Sequence, residues 1–600
     1  MDKSFLKYYQ NNLEYLRKLG GEFAKDFPKI ASRLELSANE CQDPYVERLL
    51  EGAAFLAAKV EAKLDNGAPR LMEAVVNAFN PSLGASTPSS AIIELEGIDY
   101  NSVGTFGLIP AGTSFKASIP TIDTPCIFST LVDYNIFPVN VSSAKYLTLE
   151  LSSYGIKSPA AVSLDFNIIK AYVGKSGDLR MYINLPFSDT SELQRQLIED
   201  LEAVYVLKDG KTVKVDGIDF RLPFDTEKKN YLNESFFVSL GWGTSELGRF
   251  FNFQSSFKYI DLHGFSSLIS SSGNLSLIFA LKRRNSNLSH LINAETFKLN
   301  CVPVVNVFKK RSDRVEVDIN HEFQVVSSRT APFDYEVLQV NGIELYDINN
   351  KQITEIKEAY TYKETYGAKG FSDTYTIHRR PWLLIPGKRY RSSYIGYETF
   401  VSFSGNIIRK YQQDGAQFSA ELVCSNRDLP LLLTGNTVLA SSLESIVKQA
   451  KFIAMPTRPK GPAIFDGGLE SWERVSYLTL DISSMLWQPG VMPLTFLKEL
   501  VRRIYRASTG QDAEMIDGGI IGLENKPETF RYALNGSVFF ENGWALKLTL
   551  DESHFAGIGY YIFGVLIYRL IQSQCPVNVP IRMELETKQH GKIAEWTKLN

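Results

Sequence analysis

Apolar positions fall into three textures along the 600 residues. Over the first 80, Leu6, Tyr9, Leu13, Leu16, Phe23 and Phe27 recur at steps of three and four, with Gly20 completing the series. That spacing predicts an amphipathic helix with a heptad-like seam of about three turns on either side of the glycine. Such a seam needs a partner helix, supplied either within residues 43–80 or by another chain. A second helix has a start signal, Asp43 as N-cap and Pro44 at the first helical position. Its stripe is Val46, Leu49, Leu50, Ala53, Leu56, Val60 and Leu64. Pro69 opens a third, shorter helical segment from Arg70 to Phe79, which Asn80 and Pro81 close.

After Ser86-Thr87-Pro88-Ser89 the period drops to two. Runs such as Ala91 to Leu95, Tyr146 to Leu151 and Leu275 to Ala280 are alternating or β-branched, punctuated by turn clusters at Pro110-Ala111-Gly112 and Lys208 to Lys211. Residues 86–340 are therefore expected to be antiparallel β, as two sandwich-like units interrupted by one helix at Glu192 to Leu201. Residues 341–455 continue as β with long polar loops, and Tyr360 to Asp373 lack periodicity, as a mobile loop would. Pro456 to Pro462 has the composition of a linker. In the third texture, 456–600, the pattern gives a helix from Pro493 to Arg506, a strand at Trp544 to Leu550, an apolar helix at Phe555 to Ile571 and a last strand at Ile581 to Leu585. The expectation is a multidomain α+β chain: a helical region at 1–85, β domains at 86–340 and 341–455, and an α+β domain at 456–600.

Composition narrows function mainly by exclusion. Sixty-four Lys and Arg against 67 Asp and Glu leave a net charge of −3, so a general nucleic-acid binder is disfavoured. Cys41, Cys126, Cys301, Cys424 and Cys575 are widely spaced and form no CxxC pair, which argues for reduced thiols in a cytoplasmic protein and against a disulfide framework or zinc site. The N-terminus has no signal-peptide pattern, and the apolar run at 555–571 is short for a membrane span and contains Arg569. None of the six histidines lies within four residues of another, and neither a GxSxG elbow nor a phosphate loop occurs. Lys282-Arg283-Arg284 and Lys309-Lys310-Arg311 are expected as solvated loop tips. No catalytic residue, cofactor or metal is indicated, while aromatics reach 12%.

Several motifs in register resemble one family. At the N-terminus these are Tyr8-Tyr9, Leu13, Leu16-Arg17, Glu22-Phe23-Ala24, Phe27 to Leu34 and Asp43 to Gly52. Downstream they are Leu299 to Phe308, Cys424 to Pro430, Pro456 to Pro459, Trp472 to Leu480 and Leu550 to Phe555. Together they are similar to the TssF (VasA, ImpG) family of the bacterial type VI secretion baseplate. Phe250 to Gln254 lacks the aromatic-proline pair expected there, and Leu480-Asp481 stands where Leu-Asn is expected.

The resemblance implies a structural wedge component and no enzyme. Its implied partners are TssG, a second copy of the chain, TssE and TssK, around the VgrG spike and beneath the contractile sheath. It also implies a cytoplasmic place at the inner face of the inner membrane, without membrane insertion. Asn300, Cys301, Pro303, Asn306, Cys424, Asn426, Arg427, Asp428, Pro430 and Trp472 become structural positions. On that view the thiols lie in the core, and the Asn and Asp side chains bond turns and strand ends. Two alternatives stay open at this point: a phage-derived tail wedge protein, and a carbohydrate-active β-rich enzyme with two facing carboxylates.

Overall fold

The computed structural model describes residues 3–31, 43–65, 85–100, 107–170, 177–208, 211–223, 246–269, 271–317, 322–349, 351–358, 374–382, 390–403, 415–461, 493–509, 514–534, 537–575 and 579–598. The chain divides into a small unit, residues 1–79 with 464–479, and a large unit comprising the rest.

In the small unit, helix α1 runs Lys3–Asp26 and helix α2 runs Pro44–Asp65. α1 passes through Gly20 and Gly21 without a break, although each glycine costs about 1 kcal/mol in a helix interior. The expected cap of α2 is present: the Asp43 carboxylate accepts the Tyr45 amide at 2.8 Å. The two helices pack together, with an Arg17–Glu47 ion pair and Phe5 edge-on to Phe55 at 5.4 Å. Ala54 and Ala58 are fully buried on one face of α2, while Tyr45, Leu49, Leu56 and Val60 are exposed. At 100° per residue those four form one stripe on the opposite side of the helix. The third segment expected at Arg70 to Phe79 lies outside the described residues.

Among the described residues the large unit is a set of mainly antiparallel sheets, with parallel pairs at Gln352–Glu358 with Thr374–Pro381 and, in its C-terminal sheet, at Ser537–Leu550 with Ile581–Thr587. A closed barrel is ordered Ser90–Ile98, Cys301–Val305, Ile122–Thr130, Ser114–Ile119, Val438–Ser441, Val447–Ala454, which returns to Ser90–Ile98. Between the first three barrel strands in sequence and the last two stand three further sheets. A five-stranded sheet (Lys211–Val215, Leu201–Lys208, Gly273–Leu281, Ala160–Ile168, Val139–Leu147) faces a four-stranded one (Asp219–Arg221, Tyr259–His263, Leu179–Ile183, Phe297–Lys298). They share one core, in which Phe166 meets Phe265 at 5.0 Å and Phe220 meets Phe279 at 4.6 Å. Two sandwich-like units were expected over 86–340; this is one sandwich, and the other strands of that stretch go mostly to the barrel and the eight-stranded sheet. Burying each such side chain contributes roughly 1.5–3 kcal/mol. An eight-stranded sheet is built on Glu336–Tyr346 and Gln417–Ser425, with Phe308–Arg311 at its edge.

Strands from 86–340 and 341–455 thus share both the barrel and the eight-stranded sheet, so no sheet boundary falls at residue 340. Lys309-Lys310-Arg311 lies in an edge strand and not at a loop tip; cations on an edge discourage unwanted strand pairing. Arg283 does face solvent, 3.6 Å from Asp200. Pro456 to Gly461, linker-like in composition, is pinned: Thr87 and Lys460 exchange backbone hydrogen bonds, and the Thr457 amide bonds the Ser90 carbonyl.

In the C-terminal part, helix α3 (Phe187–Glu199) of the sandwich receives helix α5 (Tyr560–Gln574), and α4 (Pro493–Thr509) packs on strand Ile520–Leu534. The apolar helix begins at Tyr560 and not at Phe555, because Gly559 adopts φ 76° against Ser191 and a 3-10 turn occupies Glu552–Phe555. Ile562, Phe563, Leu566 and Ile567 are buried around it, as an all-round apolar helix requires. None of the described helices is long and apolar enough to cross a membrane. Tyr560 donates to Glu192 at 2.6 Å and Tyr561 to Glu199 at 2.9 Å. Burial alone would raise the Glu192 carboxyl; its bonds with Arg195 outweigh that and bring it below the usual range. A final strand, Gly591–Lys598, follows the expected strand at Ile581–Thr587.

Candidate functional site

The two central motifs, more than a hundred residues apart in sequence, meet in a buried polar joint between the barrel and the eight-stranded sheet. Asn306 leaves barrel strand Cys301–Val305, and Asn426 ends strand Gln417–Ser425; both are fully buried. The Asn306 side-chain amide donates to the Ile127 carbonyl at 2.8 Å and to Asn426 Oδ1 at 2.9 Å. In return the Asn426 amide donates to Asn306 Oδ1 at 2.6 Å, and the Ile127 amide donates to Asn426 Oδ1 at 3.0 Å. Two side-chain amides thereby satisfy backbone groups that neither sheet could pair alone.

Arg427 follows in the left-handed region at φ 51°, and Asn300 shares that conformation at 56°. Asparagine accepts it readily; arginine does so only when its surroundings hold it there. Here the buried guanidinium donates to the Ile395 carbonyl at 2.5 Å and lies 5.2 Å from the Trp382 ring centre. A side chain at Gly396 would collide with it. Asp428 accepts Ser392 Oγ at 2.7 Å and sits 3.3 Å from Arg391, which also pairs with Asp334 at 2.6 Å. Pro430 is buried in the 3-10 turn Leu429–Leu432.

Glu336 closes the joint, accepting Ser86 Oγ at 2.6 Å and Tyr394 OH at 2.7 Å; burial raises its carboxyl above the usual range despite those bonds. The remaining motif residues are packing. Pro303 pairs with Ile92 inside the barrel. Cys301 is buried with its thiol pushed well up, and burial pushes Cys424 up to about 12, so neither is a ready nucleophile. Trp472 lies outside the described residues. Among the described residues no group of three or more His, Cys, Asp or Glu is placed to hold a metal. Ser86, Asp334, Glu336, Trp382, Arg391 and Tyr394 belong to the joint yet carry no local sequence signal; only the Asn-containing strand ends marked its position.

The pinned stretch beside the joint makes a pH prediction. Lys460 Nζ donates to Asn252 Oδ1 at 2.9 Å and to the Ser508 carbonyl at 2.7 Å, and burial pulls it down to about 8. A free lysine titrates near 10.4, so between about pH 8 and 10 the unfolded chain holds the extra proton and stability gains with rising pH. Lys460→Met should lose that gain. Urea unfolding of both proteins at pH 7.5 and 9.5 checks it, and an equal pH response would contradict the assignment.

Of the seam residues, Tyr9, Leu13 and Leu16 are half-buried within the helical unit, whereas Leu6, Phe23 and Phe27 are exposed, the Phe23 and Phe27 rings lying tilted to each other at 5.1 Å. With the exposed stripe of α2, the small unit carries apolar surface on both helices.

The sheets and the joint between them define a large multi-sheet scaffold, with chemistry-bearing side chains used as fasteners. A family model described as "Type VI secretion system, TssF" matches residues 1–600, and the chain belongs to that family. It is 28% identical to the type VI secretion system component TssF1 of Pseudomonas aeruginosa, over 99% of this chain and 98% of that one. Its fold is similar to a chain of the TssK-TssF-TssG baseplate subcomplex solved by cryo-electron microscopy, with TM-score 0.68 and 19% identity, covering 92% of this chain and 98% of that one.

Proposed function

We propose that this chain is a structural, non-catalytic wedge component of a type VI secretion baseplate. The reading is carried by full-length membership of the TssF family together with the likeness to a chain of a TssK-TssF-TssG assembly. The solvent-facing apolar stripes of α1 and α2 support it physically, since contiguous exposed apolar surface marks a place for other protein. In this reading TssG and a second copy of the chain complete the helical bundle, and TssK and TssE attach to the wedge. The wedge surrounds the VgrG spike beneath the sheath, in the cytoplasm at the inner membrane's inner face. The large unit, stiffened by its polar joint, acts as the rigid arm that passes baseplate rearrangement to the sheath. Affinity purification of the chain from its native cell tests this: TssG, TssK and sheath should be recovered with it, and their absence rejects the reading.

A further inference from the structure

Strands Ile520–Leu534 and Ser537–Leu550 form a hairpin longer than the sheet that carries it. The neighbouring strand Ile581–Thr587 supports only Trp544–Leu550, so among the described residues Ser537–Gly543 pairs on one side alone. At roughly 3.4 Å per residue the unsupported arm is more than 20 Å long. Its base is anchored: Glu528 pairs with Arg582 at 2.6 Å, Phe530 is buried, and a side chain at Gly543 would strike the Pro580 carbonyl. Beyond that base, Val538 is 47% and Phe540 is 70% exposed. The cross-strand register sets Arg531 opposite Phe540 on the same face. Arg531 is exposed, and no carboxylate among the described residues pairs with it.

A two-stranded ribbon is marginal in water on its own, and an exposed aromatic beside an arginine with no carboxylate partner among the described residues has the composition of an interface anchor. We infer that this arm inserts Val538 and Phe540 into an apolar groove on another baseplate subunit, with a carboxylate at the groove's rim pairing with Arg531. A second copy is the poorer occupant. The same face on a second copy carries no carboxylate to pair with Arg531.

The inference rests on the baseplate reading, and one experiment separates the two. Baseplate complexes are purified from the native cell through the tagged full chain, and hydrogen exchange is compared between the chain alone and the complex. The amides of 537–543 should slow in the complex. Phe540→Ser and Arg531→Glu, expressed in competition with wild type, should each enter complexes about tenfold less, with unchanged thermal unfolding. Complexes that form normally with 537–543 still exchanging fast, or with both variants incorporated as wild type, overturn the arm and leave the baseplate reading intact. Dimerisation of the isolated chain that Phe540→Ser abolishes makes the occupant a second copy, which also overturns it. Recovery of the tagged wild-type chain without TssG or TssK rejects the baseplate reading, and the arm inference with it.

Discussion

Asn306→Leu is expected to destabilise the large unit by about 3–5 kcal/mol, the largest single-residue effect in the joint. The substitution strands the Ile127 carbonyl and the Asn426 backbone amide, each bonded to this side chain in the buried joint, and removes one partner of Asn426 Oδ1. Each orphaned buried group costs about 1–3 kcal/mol, and leucine cannot offset this where no apolar space is shaped for it. Asn426→Leu should cost a similar amount, because it strands the Ile127 amide and the Asn306 side chain. The double variant should cost less than the sum, since the Asn306 Nδ2–Asn426 Oδ1 bond is lost in either single variant and can be lost only once. Denaturant unfolding of the four proteins measures the cycle. A single-variant cost below about 1 kcal/mol, or simple additivity, would show that the two motifs do not act as one fastener.

Leu49→Asp with Leu56→Asp should abolish co-purification with TssG while the isolated chain stays folded. Both side chains are mostly in solvent, 73% and 64% exposed, so the monomer loses little packing when they change. In a helical bundle each would be buried, and about 1.5–3 kcal/mol per leucine amounts to a loss of two orders of magnitude or more in affinity. The seam pair Leu13 and Leu16 is a less discriminating target, because both are half-buried inside the helical unit and aspartate there would also loosen the monomer. Comparing the two double variants by circular dichroism and pull-down separates an intermolecular role from an internal one. Undiminished TssG binding by the Leu49/Leu56 variant would remove the α2 stripe from the interface.

Local pattern carried the elements well wherever a single period persisted. Helix α2 was legible from Asp43-Pro44 and its stripe, and α4 from the helical pattern at Pro493 to Arg506. The sandwich strand Gly273–Leu281 was legible from Leu275 to Ala280, whereas the run Tyr146 to Leu151 misled: strand Val139–Leu147 ends there and a 3-10 turn occupies Leu149–Tyr154. The apolar helix was misplaced by several residues because Gly559 looks like any glycine until its φ of 76° is seen. The barrel was invisible for a different reason. Its strands Ser90–Ile98 and Val447–Ala454 each read correctly as β, but which strand pairs with which depends on contacts across most of the chain. The joint shows the same limit: Asn306 and Asn426 stood out through their motifs, whereas Glu336 and Trp382 entered only through the fold. The apolar face of the C-terminal hairpin was missed because Ser537 to Gly543 has the composition of an ordinary strand, and only the short neighbour exposes it.

The barrel's closure has a consequence for biogenesis. Ile92 emerges early in synthesis, yet its partner Ala454 leaves the ribosome only after most of the chain has been made. At roughly 5–20 residues per second that delay is on the order of tens of seconds. Throughout it the strand Ser90–Ile98 lacks its closing neighbour, while the sandwich, whose strands all lie between, can already complete itself. The nascent chain therefore holds an open, apolar sheet edge throughout that interval, so slower translation lengthens the exposure of Ser90–Ile98.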